Sequence, residues 1–206
     1  MEKKVALIIG AGDSLGSSVA RVFAKDGYVI VAARRNGSEL DKLKKEIESK
    51  NGECHTFSLD ARKEEDVIKF IETIEQDFGP ISVAVYNIGA NIKYNILETT
   101  SRKYFKVWEM AAFGAFLVGR EVAKHMVPRK EGTIIFTGAT ASIRGKEGFA
   151  AFSGAKHAKR ALAQSMAREL GPKGIHVAHI IIDGAIDTPV SYTHLRAHET
   201  QSDRVC

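Results

Sequence analysis

The chain reads as an α/β protein built on a doubly wound parallel sheet. Apolar, β-branched runs of strand length alternate with helix-length segments about five times. That alternation places strands side by side and covers both faces with helices. A glycine-rich turn also joins the first strand directly to the first helix. Finally, 206 residues suffice for one domain with a sizeable core, and neither an internal repeat nor a Pro-, Gly- or Ser-rich linker divides them.

Taken in order, Val5–Ile9 is an unbroken apolar run and the first strand. Ser17–Lys25 follows with apolar residues at helical spacing, and Tyr28–Ala32 returns as the second strand. Glu39–Ser49 is the next helix and Glu53–Ser58 the third strand. Glu64–Phe78 is helical by the same periodicity, and Ile81–Tyr86 is the fourth strand. A long helical stretch lies near Arg102–Met126, ahead of the strand Thr133–Thr137. Phe149–Leu170 is the last helix and His176–Ile182 the last strand. Right-handed crossovers between these strands wind the sheet in both directions.

Composition narrows the class. The chain is 44% hydrophobic and 27% charged, an ordinary globular balance. Its longest apolar runs are strand-sized, so no transmembrane helix and no membrane partner are expected. The Met-Glu-Lys-Lys start leads into a strand pattern without a cleavage site, so no signal peptide is expected. Two cysteines, Cys54 and Cys206, form no disulfide framework and suit a reducing, cytoplasmic compartment. The net charge of +5 is spread along the chain among 25 acidic residues, so nucleic acid is not an expected partner. His125, His157 and His179 show no metal-ligand spacing, and no metal site is expected.

The turn Gly10-Ala11-Gly12-Asp13-Ser14-Leu15-Gly16 carries the first functional signal. Glycines let the backbone turn tightly and approach a pyrophosphate, and the helix N-terminus adds free N–H groups and a positive dipole end. Its place between first strand and first helix favours dinucleotide binding over a plain turn. At the end of the second strand, a carboxylate would bind the adenosine ribose hydroxyls. Here Arg34 and Arg35 stand instead, and guanidinium groups suit a 2′-phosphate. NADP(H) is therefore expected, the alternative being a solvated turn. Asp60, past the third strand, either accepts from the adenine amino group or caps the helix after Ala61.

These features resemble the short-chain dehydrogenase/reductase family over essentially Lys4 to Pro189. The resemblance rests on the Gly10–Gly16 turn, Asp60, and Val85-Tyr86-Asn87-Ile88-Gly89. To these it adds Phe152-Ser153-Gly154-Ala155-Lys156 and Asp183-Gly184 followed by Thr188. It implies a Rossmann-type sheet of order 3-2-1-4-5-6 and reversible hydride transfer between a nicotinamide and a small-molecule alcohol or carbonyl. It implies cofactor contacts at Gly10, Gly12, Ser14, Leu15, Gly16, Asn87, Gly89, Lys156, Gly184 and Thr188. It also implies a homodimer or homotetramer, joined through Arg102–Met126 and Phe149–Leu170. The family usually has glycine where Ser14 stands, with Gly12 able to compensate.

The catalytic positions depart from the family's pattern. Its tyrosine, four residues before the lysine, donates the proton, and the lysine lowers the tyrosine pKa and holds the nicotinamide ribose. Lys156 is present, but Phe152 occupies the tyrosine position, Ala139 that of the serine, and Ala111 that of the asparagine. Asp183 replaces the proline of a Pro-Gly pair. The expected activity is thus an NADP(H)-dependent oxidoreductase with a non-standard proton donor, or else a catalytically silent NADP(H)-binding regulatory or scaffold protein. Ser153, Thr137, Thr140, Ser142, Tyr86 and Tyr94 are the hydroxyls available as substitutes, Tyr94 first among them.

The segment Val190–Thr200 has neither helical nor strand periodicity and is similar to the translation of a transposase-type sequencing adapter. Residues 1–189 are expected to form an incomplete domain, lacking its substrate-covering segment and final strand. Residues 190–206 are expected to be a non-native tail. The strand His176–Ile182 would then be an exposed apolar edge.

Overall fold

A computed structural model describes residues 3–183. Six strands form one wholly parallel sheet: β1 (Val5–Ile9), β2 (Val29–Arg34), β3 (Cys54–Ser58), β4 (Ile81–Tyr86), β5 (Gly132–Thr137) and β6 (Ile175–Ile180). Their order is β3-β2-β1-β4-β5-β6, a Rossmann-type arrangement. Six α-helices connect them: α1 (Leu15–Lys25), α2 (Asp41–Glu48), α3 (Glu64–Asp77), α4 (Ser101–Trp108), α5 (Gly114–Arg129) and α6 (Ala150–Leu170). The expected doubly wound fold is the one observed. Residues 190–206 lie outside the described residues.

Strand alternation sorts the core into two layers. Val5, Leu7 and Ile9 of β1 point with Val31, Tyr86 and Phe136 toward the face covered by α3, α5 and α6. Ala6 and Ile8 point with Ile30, Ala32 and Val85 toward α1 and α2. Burial on both faces explains why these strands are continuous apolar runs. Ile9 is in register with Ala33 on one side and Tyr86 on the other. The three strands therefore end level, at the point where the chain order reverses, which is where such sheets bind ligands.

Several boundaries differ from expectation. β2 runs on to Arg34 because Ala33 and Arg34 pair with Phe57 and Ser58 of β3. A 3₁₀ turn over Gly37–Leu40 then precedes α2. The expected helix near Arg102–Met126 is two α-helices joined by a π turn over Glu109–Phe113. Thr100 caps it, its hydroxyl accepting the Lys103 N–H at 3.3 Å. The last strand ends at Ile180, and β6 is an edge of the sheet among the described residues.

Candidate functional site

Gly10 has φ +85°, a conformation that side chains disfavour, and its N–H donates to the Ala33 carbonyl oxygen at 2.8 Å. Gly16 is the position of closest approach. A Cβ there would lie against the Gly10 carbonyl oxygen and 2.7 Å from Ala11 Cα. At Gly12 a Cβ would meet nothing within 4 Å, so Gly12 leaves open space instead of serving a contact. Ser14 has φ −102°, which needs no glycine. Ser17 N–H donates to Gly12 O and Ser18 N–H to Ser14 O. The amides of residues 13–16, Leu15 and Gly16 among them, have no acceptor among the described residues. A cradle of free N–H groups at a helix N-terminus suits a pyrophosphate, so these residues fit a dinucleotide.

A cleft of 490 Å³ extends from this turn. Gly10, Gly12, Arg34, Arg35, Glu39 and Asp60 line one part, and Tyr86, Asn87, Gly89 and Met110 another. Arg34 forms ion pairs with Asp13 at 3.4 Å and with Glu39. Asn36 Nδ2 donates to Glu39 Oε1 at 3.0 Å, so the carboxylate is fixed as well. Arg35 has no acid within ion-pair distance among the described residues, although its charge helps hold the Asp60 carboxyl below the usual carboxylate range. The larger cause is Arg62, whose Nε and second guanidine nitrogen donate to the Asp60 oxygens at 2.8 and 2.6 Å. Asp60 does not cap α3, whose N-cap is Lys63. The capping alternative is thus set aside.

Asn87 ties the floor together: Nδ2 donates to the Gly10 carbonyl oxygen at 3.0 Å, and its N–H donates to Ile9 O at 2.8 Å. A Cβ on Gly89 would sit 3.8 Å from Lys156 Nζ, so the lysine amine faces this wall of the cleft. Lys156 Nζ donates to the Thr137 carbonyl oxygen at 3.1 Å and lies 5.5 Å from the Phe152 ring centroid. Phe152 and Lys156 therefore share one face of α6. The Phe152 ring is buried and meets Phe149 edge-on. Ala139 follows β5, with its N–H donating to Ser142 Oγ at 3.1 Å. Ala111 lies in the π turn, packed with Ala90, Val107, Ala151 and Ala155. Gly184 and Thr188 lie outside the described residues.

The substitute hydroxyls fare unevenly. Tyr86 is buried, its hydroxyl donates to the Met110 carbonyl oxygen at 2.6 Å, and burial raises its pKa far above the ordinary value. It is no acid for the cleft, which corrects its candidacy. Ser142 is spent on Ala139, and the Thr140 hydroxyl bonds to the Asp183 carboxylate. Tyr94 lies under Lys103, 3.8 Å from Nζ to ring centroid. Ser153 Oγ is buried without a partner among the described residues.

Sequence reasoning missed two charged groups. Glu39 reaches back from the turn after β2 to hold Arg34. Lys159 is fully buried, and its Nζ donates to the Ile88 carbonyl oxygen at 3.1 Å. Its spacing of three from Lys156 was the available signal. Among the described residues no group of three or more His, Cys, Asp or Glu is placed to hold a metal ion, and no helix is long and apolar enough to cross a membrane.

Residues 4–198 match the family model described as short chain dehydrogenase. Zerumbone synthase of Zingiber zerumbet is 29% identical over 208 residues, 98% of this chain and 76% of that protein. A solved short-chain dehydrogenase from Rhodopseudomonas palustris is 48% identical, with a TM-score of 0.84 over 96% of this chain and 92% of that one. NAD+-bound xylitol dehydrogenase is 27% identical, with a TM-score of 0.89 over 93% and 74% of the two chains. An actinorhodin polyketide ketoreductase with NADPH is 25% identical, with a TM-score of 0.90 over 99% and 78%.

Proposed function

We propose that this chain, which belongs to the short chain dehydrogenase family, is an NADP(H)-dependent oxidoreductase interconverting an alcohol and a carbonyl on a small molecule. Its proton donor is a group other than residue 152. Membership of a family of oxidoreductases supports the reaction class. The observation that carries the cofactor preference is Arg35, exposed at the cleft with no acid paired to it among the described residues. Arg34 beside it is tethered by Glu39 and Asp13, leaving Arg35 as the guanidinium available for a 2′-phosphate.

In this reading the Gly10–Gly16 turn holds the pyrophosphate, Asp60 accepts from the adenine amino group, and Asn87, Gly89 and Lys156 face the nicotinamide ribose. Gly184 and Thr188 complete the set by resemblance. When bound, a nicotinamide supplies or accepts the hydride. The chain's own contribution is to orient the ring beside Lys156, keep water from its buried side, and move a proton.

Fluorescence titration with NADPH and NADH tests the preference. Arg35→Ser should weaken NADPH binding about 10- to 100-fold, the loss of a charge-assisted contact, and leave NADH binding unchanged. Equal loss of both cofactors would refute the assignment.

Phe152 favours a second reading, a silent NADP(H)-binding regulator or scaffold, because its buried ring offers no proton. Ketone reduction by the unmodified chain would remove that reading. For assembly we propose a homodimer or homotetramer. Phe105, Trp108, Phe113 and Phe116 form a stacked series with centroids 5.9 to 6.3 Å apart, and Phe105 and Phe116 are exposed. Light scattering of a Phe105→Glu, Phe116→Glu variant should report a smaller species. A cytoplasmic location, which a fluorescent fusion would report, fits the free, buried Cys54.

A further inference from the structure

We propose that Lys156 Nζ hands the proton to the substrate oxygen, and that Lys159 is a positioning residue whose buried amine holds Lys156 for that task. The proposal rests on the dinucleotide-dependent reading of the cleft and names the proton donor it left open.

The two lysines lie three residues apart on α6 and are 4% and 0% exposed. Lys156 Nζ is fastened to the end of β5 through Thr137 O, and Lys159 Nζ follows β4 through Ile88 O, both at 3.1 Å. The Lys159 amine also lies 5.4 Å from the Tyr86 ring centroid. Neither lysine forms an ion pair with an acid among the described residues. The titratable and charged groups around the pair are His179 on β6, Arg160 on α6, and Tyr86 on β4, whose proton is committed to Met110.

Two ammonium groups without a counter-charge are unfavourable in such a site, through desolvation and mutual repulsion. Burial lowers the Lys156 pKa below the ordinary lysine value while the neighbouring Lys159 amine works against that shift, and Lys156 in turn disfavours charge on Lys159. Burial, and then the Lys156 charge, push Lys159 well below the ordinary lysine value. A second proton on the pair is therefore disfavoured, and Lys156 Nζ is the amine on the Gly89 side. A Cβ on Gly89 would be 3.8 Å from Lys156 Nζ, whereas Lys159 is enclosed. Lys156 Nζ lies 5.5 Å from the ring of Phe152, which has no proton to give.

Carbonyl reduction balances with these groups. A reduced nicotinamide is the hydride source for the carbonyl carbon. One N–H bond of the Lys156 ammonium breaks, an O–H bond forms at the carbonyl oxygen with the former π pair, and the bonding pair stays on Nζ. Solvent returns a proton to Lys156, so each turnover consumes one proton. Oxidation runs the same step backward, with neutral Lys156 accepting the hydroxyl proton.

The test uses the full chain with ¹³C-labelled lysine, the Lys156 signal being identified by its loss in Lys156→Arg. Lys159→Met keeps the volume and removes the buried amine, leaving the Ile88 carbonyl without that donor. NADPH fluorescence should show binding retained. The Lys156 signal should titrate at lower pH in the variant by about one pH unit, because an acceptor that favours its charge is gone. Reduction of 9,10-phenanthrenequinone should fall about 10²-fold or more in Lys156→Met, and its pH profile should shift with the NMR titration in Lys159→Met. A Lys156 titration that stays fixed or rises in Lys159→Met overturns the pair, as does quinone reduction by Lys156→Met at the unmodified rate. Failure of the unmodified chain to bind NADPH would instead sink the dinucleotide reading and this proposal with it.

Discussion

The Tyr86 hydroxyl donates to the Met110 carbonyl oxygen at 2.6 Å, a bond from the end of β4 to the π turn between α4 and α5. A π turn releases a carbonyl from the i→i+4 ladder, and a buried carbonyl without a donor is unfavourable. Tyr86 supplies the donor. Tyr86→Phe should therefore lower stability by about 1–3 kcal/mol, the penalty for one unsatisfied buried acceptor, with the hydrophobic ring contacts kept. Urea denaturation measures it, and no change would mean that water already serves Met110.

Gly16 and Gly12 separate sterics from binding. A Cβ at Gly16 meets backbone, which cannot move aside as a side chain does. Gly16→Ala should cost about 1–3 kcal/mol and abolish NADPH binding as the turn opens. Gly12→Ala, with nothing within 4 Å, should keep the melting temperature and weaken only the cofactor. Thermal melts paired with NADPH titration check both, and equal destabilisation by the two variants would refute the distinction.

Much of this was legible because local signals agreed with the fold. The apolar run of β1, the glycine turn and the helix after it all follow from neighbours in sequence, and the doubly wound sheet follows from repeated right-handed crossovers, whereas the strand order is what the family resemblance implies. The π turn was not legible, since the donor that satisfies its Met110 carbonyl is a tyrosine 24 residues away in the chain. Lys159 was hidden because lysine on a helix is ordinarily solvated; only the Ile88 carbonyl past the end of β4 and the Tyr86 ring beside it show its burial. Glu39 was read as the start of a helix. Its contact with Arg34 depends on the 3₁₀ turn that swings it back over β2.

Glu75 joins three elements. Its Oε1 accepts the Ile81 N–H at 3.0 Å, and both carboxylate oxygens accept from Arg129, at 2.6 and 3.1 Å. Arg129 donates in turn to the Ile81 carbonyl oxygen at 3.2 Å. The Glu75 side chain is only 10% exposed, against 33% for Arg129. Glu75→Ala leaves the Ile81 amide and a guanidinium unpaired and should cost about 2–4 kcal/mol, less than a fully buried pair because Arg129 keeps some water. Glu75→Gln retains an acceptor for Ile81 and should cost less than half as much. Urea denaturation of both variants, with Arg129→Ala to close the cycle, measures the coupling.

His179 sets a pH dependence in the opposite sense from a stabilising histidine ion pair. Burial first, then the neighbouring Lys159, Lys156 and Arg160, lower its pKa from 6.5 to about 4. Its Nε2 is buried without a partner, so protonation would place a charge where nothing receives it. Between pH 6.5 and about 4 the unfolded chain binds a proton that the folded chain refuses, and stability rises with pH across that window. The contribution is complete above pH 6.5 and is lost as pH falls through about 4. Because the ring is only partly shielded from solvent, the expected loss is about 1–2 kcal/mol and not the full linkage value. His179→Gln removes the group without adding a charge. The stability difference between the two chains should change by this amount from pH 7 to pH 4, while the lowered carboxylates Asp60 and Glu53 titrate alike in both and cancel. Urea midpoints collected at half-unit pH steps would show it, and parallel curves would mean that His179 is protonated as readily in the folded chain as in the unfolded one.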